Sequence, residues 1–180
     1  MAFSKQRVWT IREFQEFVSR PENSDRLFEL INGEIVEKMP GRTSNSGISY
    51  NLAFQVRLFC EEHKLSCYIS GGDGAYDVQG HVVAPDFAYK TTPLSDEYPD
   101  PVAPLWAIEI ISPTDKGPDI RQKRQIYIDA DIFYWEMYPG LERIDVYPPG
   151  KPFYSVGIDG KLDGGDVLPD FIITVKKIFS

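Results

Sequence analysis

The sequence predicts a mixed α/β domain, an α+β fold with a curved and partly antiparallel sheet. Three observations support this prediction. Apolar residues recur at helical spacing in three segments, short alternating or apolar runs lie between them, and Asn32-Gly33 marks a tight hairpin. The resulting order of helix, hairpin, helix, strands, helix and strands is typical of helices packed on a sheet.

The composition indicates one domain spanning residues 1–180. Hydrophobic residues make up 42% and charged residues 26%, which excludes wholesale disorder. The net charge of −8 argues against a basic protein that coats DNA without sequence preference, although it leaves room for a local phosphate site. Cys60 and Cys67 form no CxxC pair, so we expect neither a disulfide framework nor a thiolate zinc site, and a reducing cytoplasm fits. Neither a secretory leader nor a membrane span is expected.

The first half of the chain contains two predicted helices and a hairpin. Thr10 and Glu13 match a capping box at the start of a short helix. Asn32-Gly33 predicts a type I′ turn, because both central residues of that turn need a positive φ. Residues 44–64 predict a long helix with apolar residues on several faces, which we expect to be largely covered. The strands predicted around it are Phe28–Ile31, Glu34–Lys38, Cys67–Ser70 and Ala75–Val78.

The second half predicts a central strand, one helix and further strands. Residues 82–89 are expected to form one strand, and 105–111 a strand that is apolar on both faces and therefore covered on both sides. Residues 118–131 predict a helix. The strands expected after it are 133–138, 143–147 and 153–156, with a last segment around 171–175.

Two carboxylates interrupt the apolar strands. By strand alternation, Asp86 shares a face with Val82 and Ala84, and Glu109 shares one with Ala107. A buried carboxylate is costly unless it is paired, bound to a metal or protonated. The alternative is a solvent-facing Asp86 at a strand end and a structural ion pair for Glu109.

Lys123 is the third charge in an apolar setting. At about 100° per residue it falls on one helical stripe with Ile120 and Tyr127. Its stem can be buried while the ammonium reaches water, or the ammonium can reach the carboxylates of the sheet, oriented by Asp119 one turn earlier. Methionine at this position is expected to keep the packing and to be at least as stable as lysine.

The three charges together predict a hydrolytic metal centre. Two carboxylates on neighbouring strands suit Mg²⁺ or Mn²⁺, which keep several waters and take substrate phosphate as a further ligand. A nearby lysine can position water and offset the charge that builds on phosphorus. The hairpin acids Glu29 and Glu34 are candidates for an outer ligand, or simply part of a solvated hairpin face.

Several segments resemble the Uma-type restriction endonuclease family of the PD-(D/E)XK nuclease superfamily. They are ELINGEIVEKMP, PDFAYK, IEIISPT, DIRQKRQIYIDADIFYWEMYP and LPDF. The resemblance extends over almost the whole chain. It implies a single endonuclease-like domain: a restriction-endonuclease-like core with flanking helices and an N-terminal helix plus hairpin.

The resemblance also implies roles for individual residues. Asp86 and Glu109 match the two metal-binding acids, and Lys123 on the following helix takes the place of the superfamily lysine, where this chain has Ile111. Many members carry a histidine near the start of the second helix, but residues 42–46 contain none. The supporting positions match Glu29, Glu34, Ser112, Asp119 and Tyr127.

These observations favour a Mg²⁺-dependent (or Mn²⁺-dependent) DNA endonuclease of restriction or defence type. The alternative is a catalytically inactive nuclease fold that serves as a binding or interaction module, which the acidic net charge favours. Hydrolysis of RNA or another phosphodiester is a third possibility. DNA is the expected partner, and a homodimer is expected because cleavage of a duplex commonly needs two active sites.

Overall fold

The computed structural model describes residues 7–180 and contains, within this range, four α-helices and twelve β-strands. The helices are α1 (Ile11–Val18), α2 (Thr43–His63), α3 (Gly117–Asp129) and α4 (Val175–Phe179). The strands are β1 (Leu27–Ile31), β2 (Glu34–Lys38), β3 (Tyr68–Gly71), β4 (Tyr76–Val78), β5 (His81–Val83), β6 (Phe87–Lys90), β7 (Trp106–Ile110), β8 (Phe133–Tyr138), β9 (Arg143–Tyr147), β10 (Tyr154–Gly157), β11 (Lys161–Gly164) and β12 (Leu168–Thr174). Residues 1–6, in which no secretory leader is expected, lie outside the described residues. No helix in the described range is both long and apolar enough to cross a bilayer.

A six-stranded mixed sheet forms the centre of the fold, in the order β10-β9-β8-β7-β6-β3. Only the β7–β8 pair is parallel, and α3 makes the crossover between these two strands. All five residues of β7 are buried, so this strand is covered on both faces as predicted. The class is therefore the mixed α+β fold that the sequence predicts.

The two faces of this sheet carry different side chains. One face is aromatic and aliphatic, and it packs on α2, α4 and the β11–β12 hairpin around Trp106 and Trp135. The opposite face packs against α3 through Tyr127 and Tyr134, whose rings stack with centroids 4.7 Å apart. Glu109 lies on this second face. The apolar face stabilises the fold and the α3 face positions the charged groups.

The N-terminal part forms a second sheet with the order β2-β1-β5-β4. The capping box of Thr10 and Glu13 is present at α1, as predicted. The hairpin turn also has the predicted geometry, with φ of 51° at Asn32 and 76° at Gly33. Alternation along β1 buries Phe28 against α1 and turns Glu29 toward the central sheet.

Three sequence-based expectations need correction. Residues 82–89 do not form one strand: Pro85 lacks an N–H for a ladder, and the chain passes there from β5 in one sheet to β6 in the other. Helix α2 is not largely covered, because it packs through one stripe and leaves Tyr50 75% and Phe54 62% exposed. The C-terminal segment is longer than expected, with β11 and α4 beside β12.

Candidate active site

An open groove of about 610 Å³ lies between three elements: the end of the β1–β2 hairpin opposite its turn, the start of α2 and the start of α3. Glu29 enters it from β1, Glu109 from β7 and Lys123 from α3. Asp86 enters from the residue before β6, which is adjacent to β7 in the sheet. The groove therefore collects charged side chains from four separate elements.

Lys123 is the central cation of this groove. Its Nζ lies 2.8 Å from Oε1 of Glu109 and 2.9 Å from Oε1 of Glu29. The Tyr127 hydroxyl, one turn along α3, donates to the same Glu109 oxygen at 2.9 Å. Glu29 Oε1 also accepts from the Ala84 amide at 2.8 Å. One ammonium thus bridges two buried carboxylates whose orientations are fixed by further hydrogen bonds.

Asp86 is held separately from this pair. Its Oδ2 accepts from the Ile110 amide at 2.8 Å, and Ser49 donates to its backbone carbonyl at 2.7 Å. Its Oδ1 lies 3.2 Å from the ammonium of Lys38, the last residue of β2. The structure therefore places Asp86, Glu109 and Lys123 in one groove and adds a second lysine to them.

Burial and charge shift the pKa values of these groups. Burial raises the pKa of Glu109 from 4.5 to about 7, although Lys123 opposes the rise and Asp86 adds to it. Burial lowers the pKa of Lys123, but the carboxylates of Glu109 and Glu29 outweigh this effect and raise it above its usual value. Burial also raises the pKa of Tyr127 well above 10, so it remains a hydrogen-bond donor. Lys123 is consequently an ammonium at neutral pH.

The groove carries more acids than bases. Its acidic lining residues are Glu29, Glu37, Asp73, Asp86, Glu109, Asp115 and Asp119, and its basic ones are Lys38, Arg42, Lys116 and Lys123. An anionic substrate would meet repulsion here unless cations accompanied it. This charge balance is the main electrostatic constraint on what the groove can bind.

Carboxylate oxygens remain available to a hard cation. In the described residues, Oε2 of Glu109 and Oε2 of Glu29 have no hydrogen-bond partner, since each residue's contacts use Oε1. Within residues 7–180 no group of three or more Asp, Glu, His or Cys side chains is arranged to hold a metal ion. A cation bound here would therefore have at most two carboxylate ligands from the described residues, a number that would suit Mg²⁺ or Mn²⁺ with water and phosphate as the other ligands.

The supporting residues expected from the sequence differ in position. Ser112 and Asp119 line the groove, but Asp119 is exposed and Lys123 is oriented by the two glutamates instead. Ser112 bonds locally, its amide donating to Asp115 at 2.6 Å. Glu34 does not line the groove, because its register partner is Ile31 beside the turn, whereas the groove lies at the other end of the hairpin.

Two charged positions near the site are not predicted by the sequence patterns. Lys38 closes an alternating run and looks like a solvated strand end, so only the contact with Asp86 reveals it. Glu136 in β8 is fully buried and lies beside Glu109 in the parallel register. It accepts two hydrogen bonds from Arg124, at 2.8 and 2.7 Å, and one from Tyr138 at 2.7 Å. A carboxylate within the apolar run FYWEMY was the signal that would have found it.

Solved structures and protein families were compared with this chain, and both comparisons identify proteins described as nucleases. A crystal structure described as a putative nuclease belonging to DUF820, from Anabaena variabilis ATCC 29413, matches with a TM-score of 0.77 and 18% sequence identity. The match covers 94% of this chain and 97% of that one, so the fold is of the class to which that structure belongs. No curated protein matches the chain at a significant level.

A family model described as "Uma2: Putative restriction endonuclease" matches residues 14–176. The chain belongs to the Uma2 family. The resemblance noted in its sequence motifs is thereby confirmed.

Proposed function

We propose that this protein is a divalent-metal-dependent DNA endonuclease that hydrolyses phosphodiester bonds. The observation that carries the proposal is the ammonium of Lys123, 2.8 Å from Glu109 on the floor of an open groove that also contains Asp86. Membership of the Uma2 family supports the reaction class. The acidic lining supports dependence on a divalent cation, because a polyanionic substrate needs positive charge to approach this groove.

Asp86 and Glu109 are the proposed ligands of Mg²⁺ or Mn²⁺. When bound, such an ion polarises a phosphoryl oxygen and activates water. The carboxylates are suitable because the Ile110 amide fixes Asp86 and Tyr127 fixes Glu109, so neither has to be ordered when the substrate arrives. Glu29 forms a second ion pair with Lys123 and helps to set its position.

Lys123 is the proposed catalytic cation of the chain itself. Its raised pKa keeps it protonated, so it acts as a hydrogen-bond donor to water and phosphate and not as a base at neutral pH. In hydrolysis the water oxygen bonds to phosphorus and loses a proton to solvent, the bond to the leaving sugar oxygen breaks, and that oxygen takes up a proton from solvent. Negative charge grows on the phosphoryl oxygens during this step. A fixed ammonium stabilises that charge without reorganisation.

The biological setting forms part of the same proposal. A role in restriction or defence is proposed, and the description of the family to which the chain belongs supports it. A homodimer would supply the two active sites that duplex cleavage commonly uses. DNA in the cytoplasm is the proposed substrate, and both buried cysteines would remain reduced there.

Cleavage assays test the proposal directly. Supercoiled plasmid, single-stranded DNA and RNA are incubated with purified protein and Mg²⁺, Mn²⁺ or EDTA. We expect DNA nicking or cleavage with a divalent ion, none with EDTA, and a loss of at least about 100-fold in Asp86→Asn and Glu109→Gln. Glu34→Gln is the control, because this acid lies on the hairpin that carries Glu29 but outside the groove.

Two results would count against the proposal. If Glu109→Gln cuts at the wild-type rate, the reaction does not use this groove. If folded wild-type protein binds nucleic acid but cuts none of the substrates with either ion, the protein is a nuclease-fold binding module.

A further inference from the structure

Lys38 is unusual among the basic residues of the groove because its ammonium has no free hydrogen. The side chain is only 18% exposed. Its Nζ donates to the Gly72 carbonyl at 3.1 Å, to the Ala84 carbonyl, and to Asp86 Oδ1 at 3.2 Å. A lysine ammonium has three donors, so all of them are satisfied by the protein. Lys38 cannot bind a phosphate without first giving up one of these contacts.

The three acceptors form a cradle of hard oxygen atoms. One carboxylate and two backbone carbonyls are ligands that proteins also offer to Mg²⁺ and Ca²⁺. The Ile110 amide holds Asp86 Oδ2, so the carboxylate cannot rotate to offer a different oxygen without losing that bond. The Asp86 oxygen beside Lys38 is therefore the one that a metal ion would have to share with the ammonium.

We propose that the ammonium of Lys38 competes with a divalent cation for the carboxylate of Asp86. The inference rests on the metal-binding role of Asp86 in the proposed function, but it does not depend on any cleavage activity. Two lysines and three carboxylates meet in this part of the groove: Lys38, Lys123, Glu29, Asp86 and Glu109. Lys38 thus cancels part of the negative charge that would attract a metal ion, and keeps Asp86 satisfied until one arrives.

A purely structural ion pair predicts the opposite result in a metal-binding experiment. If Lys38 only holds Asp86 in place, its removal should disorder the carboxylate and weaken metal binding. If Lys38 competes, its removal should free an oriented carboxylate and strengthen metal binding. The sign of the change in affinity therefore distinguishes the two roles.

Calorimetric titration of the full chain with MnCl₂, without nucleic acid, measures this sign. We expect Lys38→Met to bind Mn²⁺ at least about tenfold more tightly than wild type, since a neighbouring positive charge is lost. Lys38→Arg, which keeps the charge, should stay within about threefold of wild type. Lys116→Met is the matched control, because Lys116 lines the same groove but is exposed and screened by solvent. It should change the affinity by less than about threefold.

Two comparisons in the same titration decide the matter. Adding Asp86→Asn to Lys38→Met should abolish the gain in affinity, because the competition takes place at that carboxylate. Mn²⁺ affinity in Lys38→Met that is equal to or weaker than wild type overturns the proposal.

A measurement on the wild-type chain covers the case in which Lys38→Met does not fold. Brief labelling with acetic anhydride, followed by peptide mass spectrometry, reports the accessibility of each ammonium. Saturating Mn²⁺ should raise the labelling of Lys38 at least about threefold and leave Lys116 unchanged, because competition is reciprocal. Unchanged labelling of Lys38 with Mn²⁺ bound overturns the proposal.

Failure of this inference is distinguishable from failure of the proposed function. A protein that shows the Lys38 effect on Mn²⁺ but cuts no substrate refutes the nuclease proposal alone. A protein that cuts DNA with Mn²⁺ but shows no Lys38 effect refutes the competition alone.

Discussion

Replacing Lys123 with methionine should show how strongly the stability of the protein depends on the Lys123 ammonium. The lysine side chain is 16% exposed, and its two carboxylate partners, Glu29 and Glu109, are 7% and 10% exposed. Methionine keeps the apolar stem but leaves both acids buried without a cation. From the sequence alone, methionine is expected to be no less stable than lysine, and the two facing carboxylates reverse this expectation.

The size of the expected stability loss follows from the cost of leaving a buried charge without a partner. Removing one partner of a buried ion pair costs about 3–5 kcal/mol. Glu109 escapes part of this cost by taking up a proton, since its pKa is already raised to about 7 by burial. We therefore expect a loss of about 3 kcal/mol at pH 8. In a chain of this length that corresponds to a fall in Tm of roughly 6–12 °C.

The same substitution should cost less at pH 5. Glu109 is then protonated in the folded wild type, so removing Lys123 leaves one buried charge fewer without a partner, and the loss should be about half of that at pH 8. Urea unfolding of Lys123→Met and wild type at both pH values, in EDTA, measures the difference. The control is Lys116→Met, an exposed lysine of the same groove. Equal stability of Lys123→Met and wild type at pH 8, or equal destabilisation at both pH values, would refute this reasoning.

Three further changes test other parts of the structure. Glu109→Gln should remove a pH dependence of stability. Burial raises the pKa of Glu109 from 4.5 to about 7, so the folded wild type holds a proton that the unfolded chain releases, and its free energy of unfolding should fall by roughly 2.5 kcal/mol relative to the variant between pH 5 and 8. Parallel urea-unfolding curves at the two pH values would contradict this. Glu136→Gln should lower the free energy of unfolding by about 3 kcal/mol in urea unfolding, because the Arg124 guanidinium loses the carboxylate that it binds through two hydrogen bonds. A loss under about 1 kcal/mol would show that stability does not depend on this pair. Gly33→Ala should destabilise the protein by more than about 1 kcal/mol, because φ is +76° and the new Cβ would lie 2.4 Å from a Val8 methyl. An unchanged Tm would show that the turn can relax to accept the side chain.

Local signals predicted much of the fold. The type I′ turn, the capping box and the strands Phe133–Tyr138 and Arg143–Tyr147 depend on neighbouring residues, so their patterns are visible in the sequence. The break at Pro85 shows the limit of this approach. Alternation across residues 82–89 implied one strand, but only the sheet assignment shows that the chain changes partners there.

Long-range contacts explain what the sequence could not predict in the candidate site. Asp86, Glu109 and Lys123 stood out because each is a charge in an apolar pattern. Lys38 did not, because its pattern is ordinary and its partners Gly72 and Ala84 are distant in the chain. The prediction that α2 is largely covered was wrong for a similar reason. Periodicity shows that a helix face is apolar, but it does not show whether another element packs on that face.

The groove draws its charges from elements that are far apart in the sequence, and this has a consequence for when it can form. Lys38 and Asp86 are 48 residues apart, and Ala84 and Glu29 are 55 apart. Contacts between residues this far apart form late in folding, after local helices and hairpins, because closing a long loop costs conformational entropy. A chain still emerging from the ribosome has made Glu29 and Glu109 before Lys123, so the ammonium bridge between these two acids cannot form until α3 has been synthesised. The charged residues of the groove can therefore come together only after α3 has docked on the finished sheet.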